Sequence, residues 1–128
     1  MATDYTPDYL EPAFAPDRIL LRAARELRGV DFDTIVGTGL SGTLVVPILA
    51  RAMGKNFLIV RKGDDIHNHS PYRRVVGTLG AKWLFVDDFV ATGKTLRHVK
   101  DTIRALGAET EYVGRYEYTD NLLSERLG

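Results

Sequence analysis

The chain has 128 residues, 45% of them hydrophobic and 27% charged, which is the length and balance of one soluble globular domain over residues 1–128 with a core of its own. Its 17 Lys and Arg offset 17 Asp and Glu, so there is no general electrostatic pull toward nucleic acid or an anionic membrane, and the absence of cysteine rules out disulfides and thiolate metal sites. The longest apolar run, Leu44 to Ala50, is far short of a bilayer span, and Met1–Asp8 lacks the basic and apolar regions of a secretion signal, so a cytoplasmic location is expected.

Residues 1–16 interleave Pro7, Pro12 and Pro16 with Tyr5, Tyr9 and Phe14. The prolines argue against a regular element, and the aromatics fit either a strap over the core or a lid that stacks on a planar ligand. From Asp17 to Arg28, Ile19, Leu20, Ala23, Ala24 and Leu27 recur at helical spacing, with Asp17 as N-cap and Gly29 as stop. Phe32–Val36 reads as the first strand, and Gly37-Thr38-Gly39-Leu40-Ser41-Gly42-Thr43 as a loop whose glycines let backbone approach a ligand. The next helix, Thr43 to Met53, is apolar on nearly every face, which calls for cover on more than one side and suggests a subunit interface; Pro47 inside it should kink it.

Asn56–Val60 is the second strand, and it delivers Arg61 and Lys62 to the same sheet edge, where they suit a diphosphate or an ion pair with nearby acids. Gly63 to Gly80 is long and polar, the pattern of a lid loop, with Arg73 and Arg74 as phosphate clamps. His67 and His69 within it lack a third metal ligand. Ala81 to Val86 is a buried strand that ends in Asp87 and Asp88, and Ala91-Thr92-Gly93-Lys94-Thr95 then opens a helix carrying Leu96, Val99, Ile103 and Leu106 on one face up to Gly107. Glu111–Tyr118 alternates like an edge strand, and Thr119–Gly128 reads as a short helix. Strands alternating with helices give an α/β domain with a mainly parallel central sheet.

The acid-ended strand carries the chemistry. Ligands of open parallel sheets bind beyond the C-terminal strand ends, where two carboxylates can take sugar hydroxyls and a helix N-terminus can take a phosphate. Gly93-Lys94-Thr95 matches the end of a nucleoside-triphosphate P-loop, but Asp88 stands where that motif needs its first glycine, and a carboxylate there repels phosphate.

The run Val86-Asp87-Asp88-Phe89-Val90-Ala91-Thr92-Gly93-Lys94-Thr95 resembles the phosphoribosyl-pyrophosphate motif of the type I phosphoribosyltransferases, and the likeness extends over about residues 30–118. It implies that family's fold with a reduced hood, a homodimer, and transfer of the 5-phosphoribosyl group from phosphoribosyl pyrophosphate to a nucleobase, with Mg²⁺ as cofactor. It also implies roles. Asp87 and Asp88 would hold the ribose hydroxyls, directly or through Mg²⁺; Ala91, Thr92, Gly93, Lys94 and Thr95 would hold the 5-phosphate. Thr38, Gly39, Leu40, Ser41 and Gly42, with Arg61 and Lys62, would hold the pyrophosphate. Ser70, Tyr72, Arg73 and Arg74 would belong to a flexible loop that closes over the sugar. On that resemblance Asp87, Asp88 and Arg61 would form the catalytic set.

Members acting on 6-oxopurines have an acid where this chain has Ala91, which weighs against that substrate, because alanine cannot serve as a base. Only residues 1–16 and 119–128 are spare for a hood. Two further classes stay open on the sequence: a non-catalytic or regulatory protein that binds phosphoribosyl pyrophosphate or a nucleotide, and a sugar-nucleotide or flavin-type α/β binder.

Overall fold

Period-two alternation sorts the strand side chains between two helix-covered faces. In the computed structural model, which describes residues 2, 3, 5, 16–61, 74–88 and 93–118, one sheet has the order β3-β2-β1-β4-β5. Its strands are β1 (Thr34–Thr38), β2 (Asn56–Val60), β3 (Val75–Gly77), β4 (Lys82–Asp88) and β5 (Glu111–Tyr118). Ile35, Ile59, Leu84, Val86 and Tyr116 pack on one face with α1 (Pro16–Glu26) and α2 (Gly39–Met53). Val36, Leu58, Val60, Trp83 and Phe85 pack on the other with Val99 and Ile103 of α3 (Gly93–Ala105). Because both faces are covered, every residue of β1 is buried, and the middle of β4, Trp83 to Val86, reads as a continuous apolar run rather than an alternating one.

β1 pairs in parallel with β2 and with β4, and β4 in parallel with β5, so the mainly parallel α/β sheet expected from the sequence is the one observed. β5 lies at the sheet edge, as its pattern implied. Four local expectations need correction. Residues 75–77, read as part of a loop, form β3 and run antiparallel to β2. The first strand begins at Thr34 rather than Phe32, and α2 begins at Gly39 rather than Thr43. Asp17 lies inside the first turn of α1 instead of capping it, since the helix starts at Pro16, whose fixed φ suits a first helical position. The readings of residues 6–15 and 119–128 fall outside the described residues.

On α2, Val45, Val46, Leu49 and Ala50 are buried while Leu40 and Ile48 stay 60% and 44% exposed, so this domain covers only part of the apolar surface of the helix. Pro47 is accommodated within the helix. Among the described residues no helix is long and apolar enough to cross a membrane.

At the foot of the sheet, Asp33 ties the start of β1 to the start of β4. Its carboxylate accepts Thr34 Oγ1 at 2.6 Å and the N–H groups of Ala81 and Lys82 at 2.9 and 3.1 Å. Burial pushes the Asp33 pKa up, but those hydrogen bonds and the charge of Lys55 outweigh it and hold the carboxyl below its ordinary 3.8. A depressed carboxylate contributes stability that is present above its unfolded pKa and lost as pH falls through the folded one. Asp33→Asn is therefore expected to be less stable than the parent chain at neutral pH, with the gap closing below about pH 4 in urea titrations. A gap that does not change with pH would contradict this.

Candidate functional site

The parallel strands β1, β2 and β4 bring their C-terminal ends to one edge. β1 lies between the other two, and the chain leaves it to one side through α2 and β2 and returns on the other side as β4. Such a switch in direction opens a crevice at the strand ends.

β1 ends at Thr38, which is buried and extended, with φ −149° and ψ 161°. Its hydroxyl donates to the Val60 carbonyl at 2.5 Å, which fastens the ends of β1 and β2 together and leaves α2 without a side-chain cap. Gly39 follows at φ 73°, a left-handed turn at the junction of strand and helix. The stretch read from sequence as a loop, Gly37–Thr43, is thus the end of β1 and the first turn of α2. The first N–H groups of a helix have no intrahelical partner and stand at its positive end, so this turn still offers donors of the kind an anion takes. Leu40 is exposed there, and Thr43 turns its hydroxyl back to the Gly39 carbonyl at 2.8 Å.

Gly37 and Gly42 serve close packing. A Cβ on Gly37 would lie 2.5 Å from Val46 Cγ2 and 3.3 Å from Gly42 Cα, and one on Gly42 would lie 3.2 Å from the Gly37 carbonyl carbon. Val46 is fully buried and branched at Cβ, so it cannot swing away. Gly37→Ala is expected to cost about 1–3 kcal/mol of stability, and adding Val46→Ala should recover part of that loss. Additive losses in a urea double-mutant cycle would show that the clash is not the cause.

Arg61 follows β2 directly and is exposed. Its N–H donates to the Arg74 carbonyl at 2.7 Å, so the two ends of segment 62–73 are joined. Nε2 of His98, on α3, lies 3.3 Å from the Arg61 carbonyl; a carbonyl only accepts, so the ring must carry its proton on Nε2 in this contact. His98 was not singled out from sequence, and the contact could not have been found there, since it links residues 37 apart.

Asp87 and Asp88 are the last residues of β4, in register with Glu117 and Tyr118 of β5. Asp87 is 6% exposed, and alternation puts it on the α3 face with Trp83 and Phe85. After an interval of four residues the chain re-enters as the first turn of α3, where Gly93 and Lys94 are exposed and Thr95 is half-buried. The structure therefore gathers Thr38–Gly42, Arg61, Asp87, Asp88 and Gly93–Thr95 about the C-terminal ends of three neighbouring strands. Lys62, His67, His69, Ser70, Tyr72, Arg73, Ala91 and Thr92 lie outside the described residues, as do the side chains of Ser41 and Asp88. Arg74 is half-buried beside β3.

No model of a protein family matches the sequence. The chain is 31% identical over 145 residues to an adenine phosphoribosyltransferase of Bifidobacterium longum subsp. infantis, spanning 98% of this chain and 73% of that protein. It is 29% identical over 115 residues to an orotate phosphoribosyltransferase of a Nocardioides species, spanning 88% and 63%. The fold matches the crystal structure of an adenine phosphoribosyltransferase from Thermoanaerobacter pseudethanolicus with a TM-score of 0.57 and 23% identity, over 84% of this chain and 71% of that one. Sheet order and structural likeness define an α/β domain of the type I phosphoribosyltransferase fold. The sequence identity goes further: the chain belongs to the phosphoribosyltransferase family and is a pentosyltransferase.

Proposed function

We propose that residues 1–128 form one phosphoribosyltransferase domain that moves the 5-phosphoribosyl group of phosphoribosyl pyrophosphate to a ring nitrogen of a nucleobase, releasing pyrophosphate. The observation that carries this reading is the gathering, at one sheet edge, of a buried strand-end acid, two helix N-termini and the cation that follows β2. In the reaction the bond from the anomeric carbon to pyrophosphate oxygen breaks, a bond from that carbon to the base nitrogen forms, and the base nitrogen gives up a proton.

Each part of the edge has a task. The first turn of α2 offers N–H groups to the leaving diphosphate, and Arg61 with Lys62 takes charge that develops on it. Asp87 and Asp88 accept the ribose hydroxyls and fix the ring for attack. Gly93 to Thr95, at the start of α3, together with Ala91 and Thr92 before them in the sequence, would hold the 5-phosphate and so place the anomeric carbon between the two anion sites. Ser70, Tyr72, Arg73 and Arg74, the clamp residues read from the sequence, would close over the sugar and keep water from competing with the base.

Mg²⁺ fits these residues. It binds by one or two carboxylates while keeping waters and substrate oxygens as its other ligands, and the described residues contain an acid pair but no cluster of three or more His, Cys, Asp or Glu that would form a protein cage. Asp87 and Asp88 would hold it, and when bound it would neutralise charge on the diphosphate.

We assign adenine as the base to which the phosphoribosyl group goes. In support are the identity to an adenine phosphoribosyltransferase along 98% of this chain and the alanine at position 91, which offers no carboxylate for a 6-oxopurine. The exposed Leu40 and Ile48 on α2 support a homodimer, and the lack of any long apolar helix among the described residues is compatible with a cytoplasmic enzyme. Pyrophosphate release should be measured with adenine, orotate, hypoxanthine and uracil. Adenine is expected to give the highest kcat/KM, at least about tenfold above the others. Turnover with orotate alone would overturn the base, and binding of phosphoribosyl pyrophosphate without turnover of any base would overturn the transfer.

A further inference from the structure

The backbone that leaves β2 is held from outside the strand. Both ladders of β2 stop at Val60, which pairs with Thr38 of β1 and with Val75 of β3, so the peptide groups around Arg61 must find partners beyond those ladders. The Val60 carbonyl takes the Thr38 hydroxyl at 2.5 Å, and the Arg61 N–H gives to the Arg74 carbonyl at 2.7 Å. The Arg61 carbonyl is met from α3, by Nε2 of His98 at 3.3 Å.

α3 fixes the residue that makes this last contact. Val99, next to His98, is fully buried in the same apolar cluster as Val60, next to Arg61. The His98 carbonyl accepts the hydroxyl of Thr102, itself 5% exposed, at 2.8 Å. His98 follows Lys94 by four residues and Thr95 by three, so one face of the helix carries all of them. That face runs from the helix start assigned to the 5-phosphate to the carbonyl of the cation assigned to the pyrophosphate. A substrate gripped at both ends reacts fastest when the grips keep one spacing. Arg61 is exposed, and an exposed cation on a backbone free to swing gives up more freedom on meeting its anion. The bond from His98 removes that swing. A carbonyl only accepts, so what the contact needs is a donor at the Nε2 position.

We propose that His98 is a positioning residue of the transfer: it holds the Arg61 carbonyl from α3 and so keeps the cation after β2 at a set distance from the helix start that takes the 5-phosphate. Its effect passes through Arg61, and the proposal rests on the reading of this edge as the phosphoribosyl pyrophosphate site. His98→Met and His98→Gln test it, since both side chains suit a helix and are of similar length, and only glutamine carries a donor. The readings are the Arg61 carbonyl carbon resonance without ligand, the affinities for pyrophosphate and for ribose 5-phosphate with Mg²⁺, and kcat and KM for phosphoribosyl pyrophosphate. In His98→Met the carbonyl resonance is expected to move, and pyrophosphate to bind about three- to tenfold more weakly, while ribose 5-phosphate binds as it does to the parent chain. kcat/KM should fall by at least the same factor, mostly through kcat, because Arg61 takes charge that grows as the bond breaks. His98→Gln should restore the resonance and bring affinities and rates within about twofold of the parent. A carbonyl resonance that stays in place in His98→Met would overturn the contact, whatever the enzyme does. Glutamine as impaired as methionine, or ribose 5-phosphate weakened as much as pyrophosphate, would overturn positioning in favour of a general role in holding α3. A parent chain that binds neither pyrophosphate nor phosphoribosyl pyrophosphate, with the resonance still moving in His98→Met, would overturn the reading of the site and with it the task assigned to His98.

Discussion

Replacing Asp87 and Asp88 together by asparagine is expected to lower kcat/KM for phosphoribosyl pyrophosphate by at least about a hundredfold, close to 3 kcal/mol of transition-state stabilisation. The substitution keeps the size of both side chains and removes two charges, which in the proposed mechanism would strengthen the hydrogen bonds to the sugar hydroxyls. Asp87 is 6% exposed at the end of β4, between β1 and β5, so its replacement by a neutral amide removes the cost of holding a charge out of water. The variant should therefore unfold near the midpoint of the parent chain while losing turnover. Turnover within about threefold of the parent would remove the acid pair from the mechanism.

Gly77→Ala is expected to cost about 3 kcal/mol or more and to strip β3 from the sheet. Gly77 has φ 125°, a conformation that side-chain-bearing residues rarely adopt. A Cβ there would collide with the Phe57 carbonyl oxygen and come within 3.1 Å of Leu58 Cα, backbone of β2 that cannot yield without opening its own ladder with β1. The same carbonyl accepts the Thr78 N–H at 2.8 Å, so the collision also removes a hydrogen bond. β3 holds Arg74 against Arg61, and loss of the strand should lower turnover together with stability. An alanine variant as stable as the parent in urea titration would contradict this packing.

What the sequence made legible follows physical lines. The acid-ended β4 and the helix after it were readable because a buried apolar run, two carboxylates and a small-residue turn are local signals that need no distant partner. β2 was readable at both ends for the same reason. β3 was hidden because its three residues are mostly exposed and follow a polar tract; pairing with β2, and not burial of its own side chains, makes it a strand. The start of α2 was misplaced because glycines were taken as a sign of loop freedom, whereas Gly37 and Gly42 are small so that strand and helix can touch. The bonds from Thr38 to Val60, from Arg61 to Arg74 and from His98 to Arg61 join parts of the chain that no local pattern relates. They show how the edge is braced, which the sequence motifs alone did not.

The central claim is that this edge binds a phosphorylated sugar diphosphate through the acid pair. A calorimetric titration of the parent chain and of the Asp87→Asn, Asp88→Asn variant with phosphoribosyl pyrophosphate, in the presence of Mg²⁺, tests it most directly. Saturable binding by the parent, weakened at least about thirtyfold in the variant, is the predicted result. No binding by the parent, or equal binding by both, would contradict it.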